Sequence, residues 1–130
     1  MTGELDLLLD THAVIWLVGG DDRVRNLLPV LDDDGSTVSV SAVSWIEIAI
    51  KNAVGKLELS VDAARQVTRM HGILDLPLTA DHAQALELLP LHHSDPFDRM
   101  LAAQALAESM TIATVDDAFD AYDGVATLWP

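Results

Sequence analysis

The segment LDLLLDTHAVIWLV, residues 5–18, decides the fold of this chain. Its first part, Leu5 to Leu9, is a short and mostly apolar run, which is typical of a strand buried in a parallel sheet. Asp10-Thr11-His12 follows directly and opens a helix that runs to about Val18. The pattern therefore predicts a strand that leads at once into a helix, with the carboxylate of Asp10 at the point where the strand ends.

The remaining sequence continues this alternation. Further strands are predicted at residues 37–41, 74–76, 111–114 and 125–128. Further helices are predicted at about residues 21–31, 42–54, 62–70, 80–89, 95–109 and 116–122, and Gly55 is a suitable residue to end the second of these. Strands that alternate with helices predict an α/β fold with a parallel sheet covered on both faces, in which ligands bind beyond the carboxyl ends of the strands.

The composition limits the class of protein. A chain of 130 residues, half of them hydrophobic, is long enough to bury the core of a single domain, which we place at residues 1–130. Cysteine is absent, which excludes disulfides, thiolate metal ligands and a cysteine nucleophile. The acidic start and the short apolar runs predict a cytoplasmic protein that does not enter a membrane.

The charge balance is strongly acidic. Seven Lys and Arg residues against 21 Asp and Glu give a net charge of −14, the opposite of a typical nucleic-acid-binding protein. A nuclease with this balance must bind cations, gather its basic residues near the site, or use a basic partner. Lys51 and Arg99 each lie near a candidate acid in the sequence, so we expect them to contact phosphate or to pair with a carboxylate.

Four carboxylates are the candidate catalytic and metal-binding residues: Asp10, Glu47, Asp98 and Asp116. Three of them lie at strand exits or helix entrances on one predicted edge of the sheet, and the helix that carries Glu47 can lie alongside. Carboxylates held close together repel one another, and Mg²⁺ or Mn²⁺ removes this penalty because both ions prefer oxygen ligands. Such a site activates a water molecule and neutralises the charge that develops on a phosphate.

Asp10 and Asp116 also have a local structural explanation. Either can cap the helix that follows it, a role worth about 1 kcal/mol, and Asp117 competes with Asp116 for the second cap. Thr11 and Thr114 are placed to orient ligand carboxylates by donating hydrogen bonds. The sequence leaves both roles open for each acid.

Asp98 and Glu47 have local explanations of the same kind. Asp95 fits an N-cap and Pro96 the first helical position, so Asp98 falls in the first turn, where a carboxylate favours the helix dipole. Glu47 can form an exposed i,i+4 ion pair with Lys51, which is worth a few tenths of a kcal/mol. Each acid taken singly is therefore compatible with a purely structural role.

Taken together, the motifs resemble the PIN-domain ribonucleases, and in particular the VapC-type toxins of bacterial toxin–antitoxin pairs. The matching segments follow the family's order: residues 7–13 (LLLDTHA), 40–42 (VSA), 45–49 (WIEIA), 55–57 (GKL), 89–99 (LPLHHSDPFDR) and 114–119 (TVDDAF). The segment around Asp98 is the most specific, and the set spans nearly the whole chain.

The resemblance implies a three-layer α/β/α sandwich with a central parallel sheet, and cleavage of RNA that depends on Mg²⁺ or Mn²⁺. Asp10 and Asp98 match the family's principal metal ligands, and Glu47 and Asp116 match its other two acids. The resemblance also implies a small VapB-like antitoxin as partner, a homodimer, and contact with DNA only through the antitoxin.

Other interpretations stay open. A catalytically inactive PIN-like interaction module is compatible with the high apolar fraction, although the four acids argue against it. A Mg²⁺-binding receiver domain requires adjacent acids after the first strand, where this chain has only Asp10. An Asp-x-Asp phosphatase would need a second Asp in place of His12. None of the five histidines shows a zinc-ligand spacing, including His92 and His93 in the predicted loop at residues 90–94.

The tryptophans and the arginines outside the motifs are expected to have structural roles. Trp16, Trp45 and Trp129 are expected to anchor the core or an interface, because large aromatic rings dominate the energetics of both. Surface ion pairs are the expected role of the arginines outside the motifs, which are Arg23, Arg25, Arg65 and Arg69.

Overall fold

The segment that opens the chain forms the central strand of a parallel sheet. The structure, a computed structural model, describes residues 4–91 and 95–130. Within these residues, the strands are β1 (Asp6–Leu9), β2 (Thr37–Ser41), β3 (Leu74–Leu76), β4 (Thr111–Ala113) and β5 (Ala126–Leu128). They form one all-parallel sheet in the order β3-β2-β1-β4-β5, so β1 lies between β2 and β4.

Helices connect these strands. They are α1 (Thr11–Val18), α2 (Leu28–Leu31), α3 (Ala42–Ala53), α4 (Val61–Met70), α5 (Ala80–Leu88) and α6 (Pro96–Glu108). The described residues also contain 3₁₀ segments at Asp22–Val24 and Asp117–Ala121. In the described ranges, no helix has both the length and the apolar character needed to cross a membrane.

The sheet buries a separate core on each face. Successive side chains of a strand point to opposite faces, so Leu7 and Leu9 belong to one core and Leu8 to the other. The first core also contains Val14 of α1, and the second contains Leu101 of α6. The sheet is therefore the middle layer of three, and the predicted α/β/α sandwich is confirmed.

The predicted helix at residues 21–31 is wrong as a single element. The chain forms the 3₁₀ segment Asp22–Val24 and then starts the separate helix α2, with Pro29 in its first turn. Proline has no N–H to donate, so it is tolerated in the first turn of a helix but not within one. Because of this break, the apolar residues do not share one buried helix face: Leu27 is buried, whereas Leu28 is 40% exposed. The predicted helix at residues 116–122 is likewise a shorter 3₁₀ segment.

The end of α3 agrees with the prediction. Gly55 adopts a φ of +75°, a left-handed conformation that glycine accepts without strain. The N–H of Lys56 donates to the carbonyl of Lys51 at 2.9 Å, and the N–H of Gly55 donates to that of Asn52 at 3.1 Å. These bonds form a Schellman motif, which satisfies the last carbonyls of the helix.

A buried glutamine ties the sheet to α6. Gln104 is fully buried, and its Oε1 accepts a hydrogen bond from the hydroxyl of Ser41 at the end of β2. Its Nε2 donates to the carbonyl of Pro77 at 3.3 Å and lies 3.4 Å from Nδ1 of His82. The hydroxyl of Ser41 also caps α3 by accepting from the N–H of Val43. One side chain therefore links β2, α6 and the segment that leads into α5.

We predict that Gln104→Met lowers the free energy of unfolding by about 1–3 kcal/mol, because it leaves buried polar partners unsatisfied while nearly conserving volume. Urea unfolding measures this loss. The matched control is Gln84→Met on the exposed surface of α5, which should change stability by less than about 0.5 kcal/mol. Equal losses in both variants would mean that the buried hydrogen bonds contribute no more than an exposed amide does.

Candidate functional site

The crevice between β1 and β4 lies where the strand order reverses. From β1 the sheet extends through β2 to β3 on one side and through β4 to β5 on the other. Ligands of open parallel sheets bind at such a switch point, beyond the carboxyl ends of the strands. Asp10 follows β1 at this place, and its N–H donates to the carbonyl of Ala113 at the end of β4, at 3.2 Å.

The carboxylate of Asp10 is held by both of its oxygens. Oδ1 accepts from the N–H of Ala13 at 2.8 Å, which caps α1, and Oδ2 accepts from Oγ1 of Thr114 at 2.5 Å. Asp10 is only 4% exposed. The expected cap therefore exists, but it occupies one oxygen and leaves the other directed across the crevice to the segment after β4.

Thr114 joins two of the candidate acids. Its hydroxyl donates to Asp10 and accepts from the N–H of Asp116 at 2.9 Å. Asp116 in turn caps the following 3₁₀ segment, since its Oδ1 accepts from the N–H of Ala118 at 2.9 Å. Asp116 rather than the exposed Asp117 is thus the acid connected to the crevice.

The protonation of Asp10 reflects this environment. Burial is the main cause that raises the pKa of Asp10 above its ordinary value, and the negative charge of Asp116 raises it further. The hydrogen bonds from Thr114 and Ala13 and the nearby His12 lower it, without cancelling the effect of burial. The site therefore holds a carboxylate whose ionised form is disfavoured, and a cation placed beside it would relieve that cost.

Glu47 lies on the buried side of α3. Its side chain is 8% exposed and pairs with Lys51, whose Nζ lies 2.7 Å from Oε2. The i,i+4 pair is the one expected, but the expectation that it would be exposed is wrong for the acid. Three residues before Glu47, the hydroxyl of Ser44 lies 3.0 Å from that of Thr11. The inner face of α3 therefore faces the start of α1, next to Asp10.

Asp98 lies in the first turn of α6. Asp95 caps this helix by accepting from the N–H of Phe97 at 2.9 Å, as expected. Asp98 is half-buried and shares a helix face with Leu101 and Ala102, which are fully buried against the sheet. Because α6 runs back along the sheet into β4, its first turn lies at the carboxyl edge of the strands, where Asp10 also lies.

The four candidate acids differ in how they are positioned. Asp10 and Asp116 meet through Thr114, whereas Glu47 is paired with Lys51 and Asp98 lies at the start of α6. In residues 4–91 and 95–130, no three Asp, Glu or His side chains converge in a geometry that would hold a metal ion. The four acids as one metal site remain a prediction.

The two basic residues near these acids differ in what they bind. Lys51 pairs with a carboxylate, but Arg99 donates to the backbone carbonyl of Pro90 at 2.8 Å and so binds a loop. His92 and His93 lie outside the described residues.

The family model of the PIN domain matches residues 7–125, which is most of the chain. The chain belongs to the PIN domain family. The matched range includes all four candidate acids, and the resemblance inferred from the motifs is confirmed. In a comparison with curated proteins, no sequence matched.

Solved structures agree with the PIN fold. VapBC2 from Rickettsia felis, solved with a DNA fragment from its promoter, superposes with a TM-score of 0.74 at 16% identity, covering 95% of this chain and 98% of that one. FitAcB from Neisseria gonorrhoeae gives a TM-score of 0.62 at 25% identity, covering 94% and 96%. VapC20 from Mycobacterium tuberculosis, a sarcin–ricin loop cleaving toxin, gives 0.60 at 18% identity, covering 95% and 99%.

The sequence did not reveal every residue that supports the site. Thr114 orients Asp10, as its position predicts, but Thr11 bonds to Ser44 instead of to a carboxylate. Nothing in the sequence distinguishes Ser44, because a serine in the first turn of a helix is too common to signal a contact with another element. Only the pairing of α1 with α3 makes it part of the surroundings of Asp10.

We predict that Asp10→Asn stabilises the metal-free PIN domain at neutral pH. The folded protein binds the Asp10 proton more tightly than the unfolded chain does. The stability that this proton contributes is fully present below the unfolded pKa of 3.8. It is lost as the pH rises through the raised folded pKa. The gain from Asn should therefore grow as the pH rises above 3.8 and should level off above the raised folded pKa of Asp10. Each pKa unit corresponds to about 1.4 kcal/mol.

Urea unfolding with EDTA across this pH range measures the effect. The control is Asp34→Asn at an exposed turn, which should show no such growth. If the gain from Asp10→Asn were constant with pH, burial of the charge would not be its source.

Proposed function

We propose that this PIN domain is a divalent-metal-dependent endoribonuclease, the toxin of a type II toxin–antitoxin pair. Asp10, Glu47, Asp98 and Asp116 are its catalytic and metal-binding residues. The observation that carries the proposal is the hydroxyl of Thr114, which donates to the carboxylate of Asp10 and accepts from the backbone N–H of Asp116, at the switch point of the sheet. A buried carboxylate with a second acid beside it is costly to keep ionised, and such arrangements concentrate at functional sites.

The chemistry of the donors fits Mg²⁺ or Mn²⁺. The candidate ligands are carboxylates, which hard cations prefer, and the chain contains no cysteine that would favour a softer metal. Asp10 and Asp116 would hold the ion from the switch point of the sheet, where Thr114 positions both residues. Asp98, at the carboxyl edge, and Glu47, on the inner face of α3, would complete the set, with Glu47 exchanging its contact to Lys51 for one to the ion.

When bound, a divalent ion supplies an activated water and neutralises charge on the phosphate. The residues of the chain supply the positioning. Thr114 holds Asp10 in one orientation by donating to Oδ2, while the cap to Ala13 fixes Oδ1. Lys51 balances the charge of Glu47 within the protein. The acids are thereby kept in place without relying on their mutual contacts, which are repulsive.

The partner proposed for this toxin is a small basic antitoxin, resembling the VapB type. The VapBC2 and FitAcB structures are antitoxin–toxin complexes that share this fold. A net charge of −14 favours a partner segment rich in Arg or Lys. We further propose a cytoplasmic homodimer that contacts DNA only through the antitoxin. Size-exclusion chromatography, with and without the protein encoded beside it, tests both assemblies.

We predict that Asp98→Asn and Asp116→Asn each reduce the rate of RNA cleavage by roughly a hundredfold or more, the scale on which acid–base groups contribute. The measurement is cleavage of a labelled RNA with Mg²⁺ or Mn²⁺ and with EDTA. Asp117→Asn is the matched control, because it makes the same chemical change at the exposed neighbour of Asp116 and should leave the rate unchanged.

Two results would contradict the proposal. Cleavage that persists in both variants would come from another site or from a contaminant. A wild-type protein that cleaves no RNA with either metal would favour the catalytically inactive PIN-like interaction module instead.

We predict that millimolar Mn²⁺ or Mg²⁺ raises the melting temperature of the wild-type protein by several degrees. A ligand at one hundred times its Kd adds about 2.7 kcal/mol of stability by linkage. The double variant Asp10→Asn/Asp98→Asn should lose this shift while remaining folded. An equal shift in both proteins would place the bound ion at a different site.

A further inference from the structure

Three side chains, those of His12, Arg23 and Trp129, form a cluster around the ring of Trp16. The guanidinium carbon of Arg23 lies 4.1 Å from the centre of the Trp16 ring, which is contact over the ring face. Trp129 meets Trp16 edge to face, with ring centres 5.7 Å apart. His12 is tilted by 32° to Trp16 at 6.1 Å. These contacts bring together residues from α1, the 3₁₀ segment after it and the end of the chain.

Arg23 is locked in place by a carboxylate. Its Nε and one terminal nitrogen donate to the two oxygens of Asp21, at 3.0 and 2.8 Å. The same pairing lowers the pKa of Asp21 to about 2, so the pair stays ionised at neutral pH. The hydrogen-bonding edge that Arg normally offers to a phosphate is therefore already occupied.

The surface that Arg23 still offers is flat. One face of the guanidinium lies on Trp16 and one edge lies on Asp21, yet 59% of the side chain remains exposed. The other face of the guanidinium is directed away from Trp16. Arginine planes and aromatic rings are the groups on which proteins stack unpaired RNA bases.

The cluster borders the candidate site. His12 is two residues from Asp10, in the first turn of α1. Trp129 directly follows β5, and the carbonyl of Leu128 at the end of that strand accepts from the N–H of Thr114 at 3.2 Å. His12 is exposed, and along α1 it comes between Asp10, which caps the helix, and Trp16. A strand that leaves the crevice along α1 would pass over these groups.

We propose that His12, Trp16 and Arg23 form a subsite that stacks unpaired bases of the RNA strand next to the cleaved phosphate. This inference rests on the proposed ribonuclease function and names how that function holds its substrate. Base stacking does not depend on opposite charge, so it suits a chain with a net charge of −14. The subsite selects single-stranded RNA, because bases within a duplex have no free face to stack.

The experiment uses the full chain carrying Asp98→Asn, which keeps the RNA intact during binding. A short single-stranded RNA is titrated while tryptophan fluorescence and RNA anisotropy are recorded. We expect quenching of tryptophan fluorescence and a Kd that rises about five- to tenfold in Arg23→Ala, the lower range for loss of a base stack. Arg23→Lys should weaken binding equally, since lysine keeps the charge but loses the plane. Arg25→Ala, the same charge change at an exposed neighbour, should leave the Kd unchanged.

The dependence on salt separates stacking from phosphate binding. A phosphate contact adds about 0.7 to the slope of log K against log salt for single strands. We expect Arg23→Ala to change the Kd without changing this slope. If Arg23→Lys restores binding, or if the slope falls with Arg23→Ala, Arg23 binds phosphate and the stacking subsite is wrong. If Arg23→Ala lowers only the melting temperature and leaves the Kd unchanged, the cluster stabilises the fold and the stacking subsite is wrong.

A cleavage assay distinguishes this inference from the proposed function. It uses chains that retain Asp98. We expect Arg23→Ala to raise KM with little change in kcat, because Arg23 lies outside the acidic crevice. Cleavage with an unchanged KM in Arg23→Ala and in His12→Ala would remove the subsite and leave the ribonuclease intact. A wild-type chain that neither binds nor cleaves RNA would overturn both.

Discussion

The buried carboxylate of Asp10 is the point on which the rest of the site depends. Its two oxygens connect the end of β1 to the first turn of α1 and to the segment after β4. A free carboxylate in this position would lose several kcal/mol of hydration, so it requires donors on both oxygens. Those donors are the N–H of Ala13 and the hydroxyl of Thr114. The same bonds that make the burial tolerable therefore also fix where β4 ends and where Asp116 begins the next turn.

Most of the fold follows from the sequence because its signals are local. Residues Leu7 to Leu9 of β1 are all apolar, and a run of this kind fits a strand that is covered on both faces. Gly55 and Asp95 mark helix ends through backbone chemistry that depends on a few neighbouring residues. The prediction failed around Pro29, where apolar spacing suggested one helix and the missing N–H divided it.

The candidate site was harder to predict, because side-chain direction is not local. In α3, Ile46 and Ile50 are about half exposed while Ile48 is fully buried, so apolar residues occur on more than one side of the helix. Such a helix has no polar face to show which side is inside, and the burial of Glu47 was therefore not readable from periodicity. Arg23 and Trp16 belong to different elements, and no spacing rule connects them. Only the packing of the 3₁₀ segment against α1 brings them into contact.

A chain with a net charge of −14 is expected to repel RNA, its proposed substrate, and the positions of its basic side chains bear on this conflict. Lys51 is held by Glu47 and Arg23 by Asp21, so each cation stands next to an acid and adds little net attraction for phosphate at a distance. Because an acidic surface repels RNA at long range, binding of RNA must depend on short-range interactions, which are base stacking and coordination of a metal ion. It also favours a basic protein partner over RNA. The same charge distribution would then serve inhibition, since a partner with many cations competes for the acidic crevice more strongly than a polyanion can.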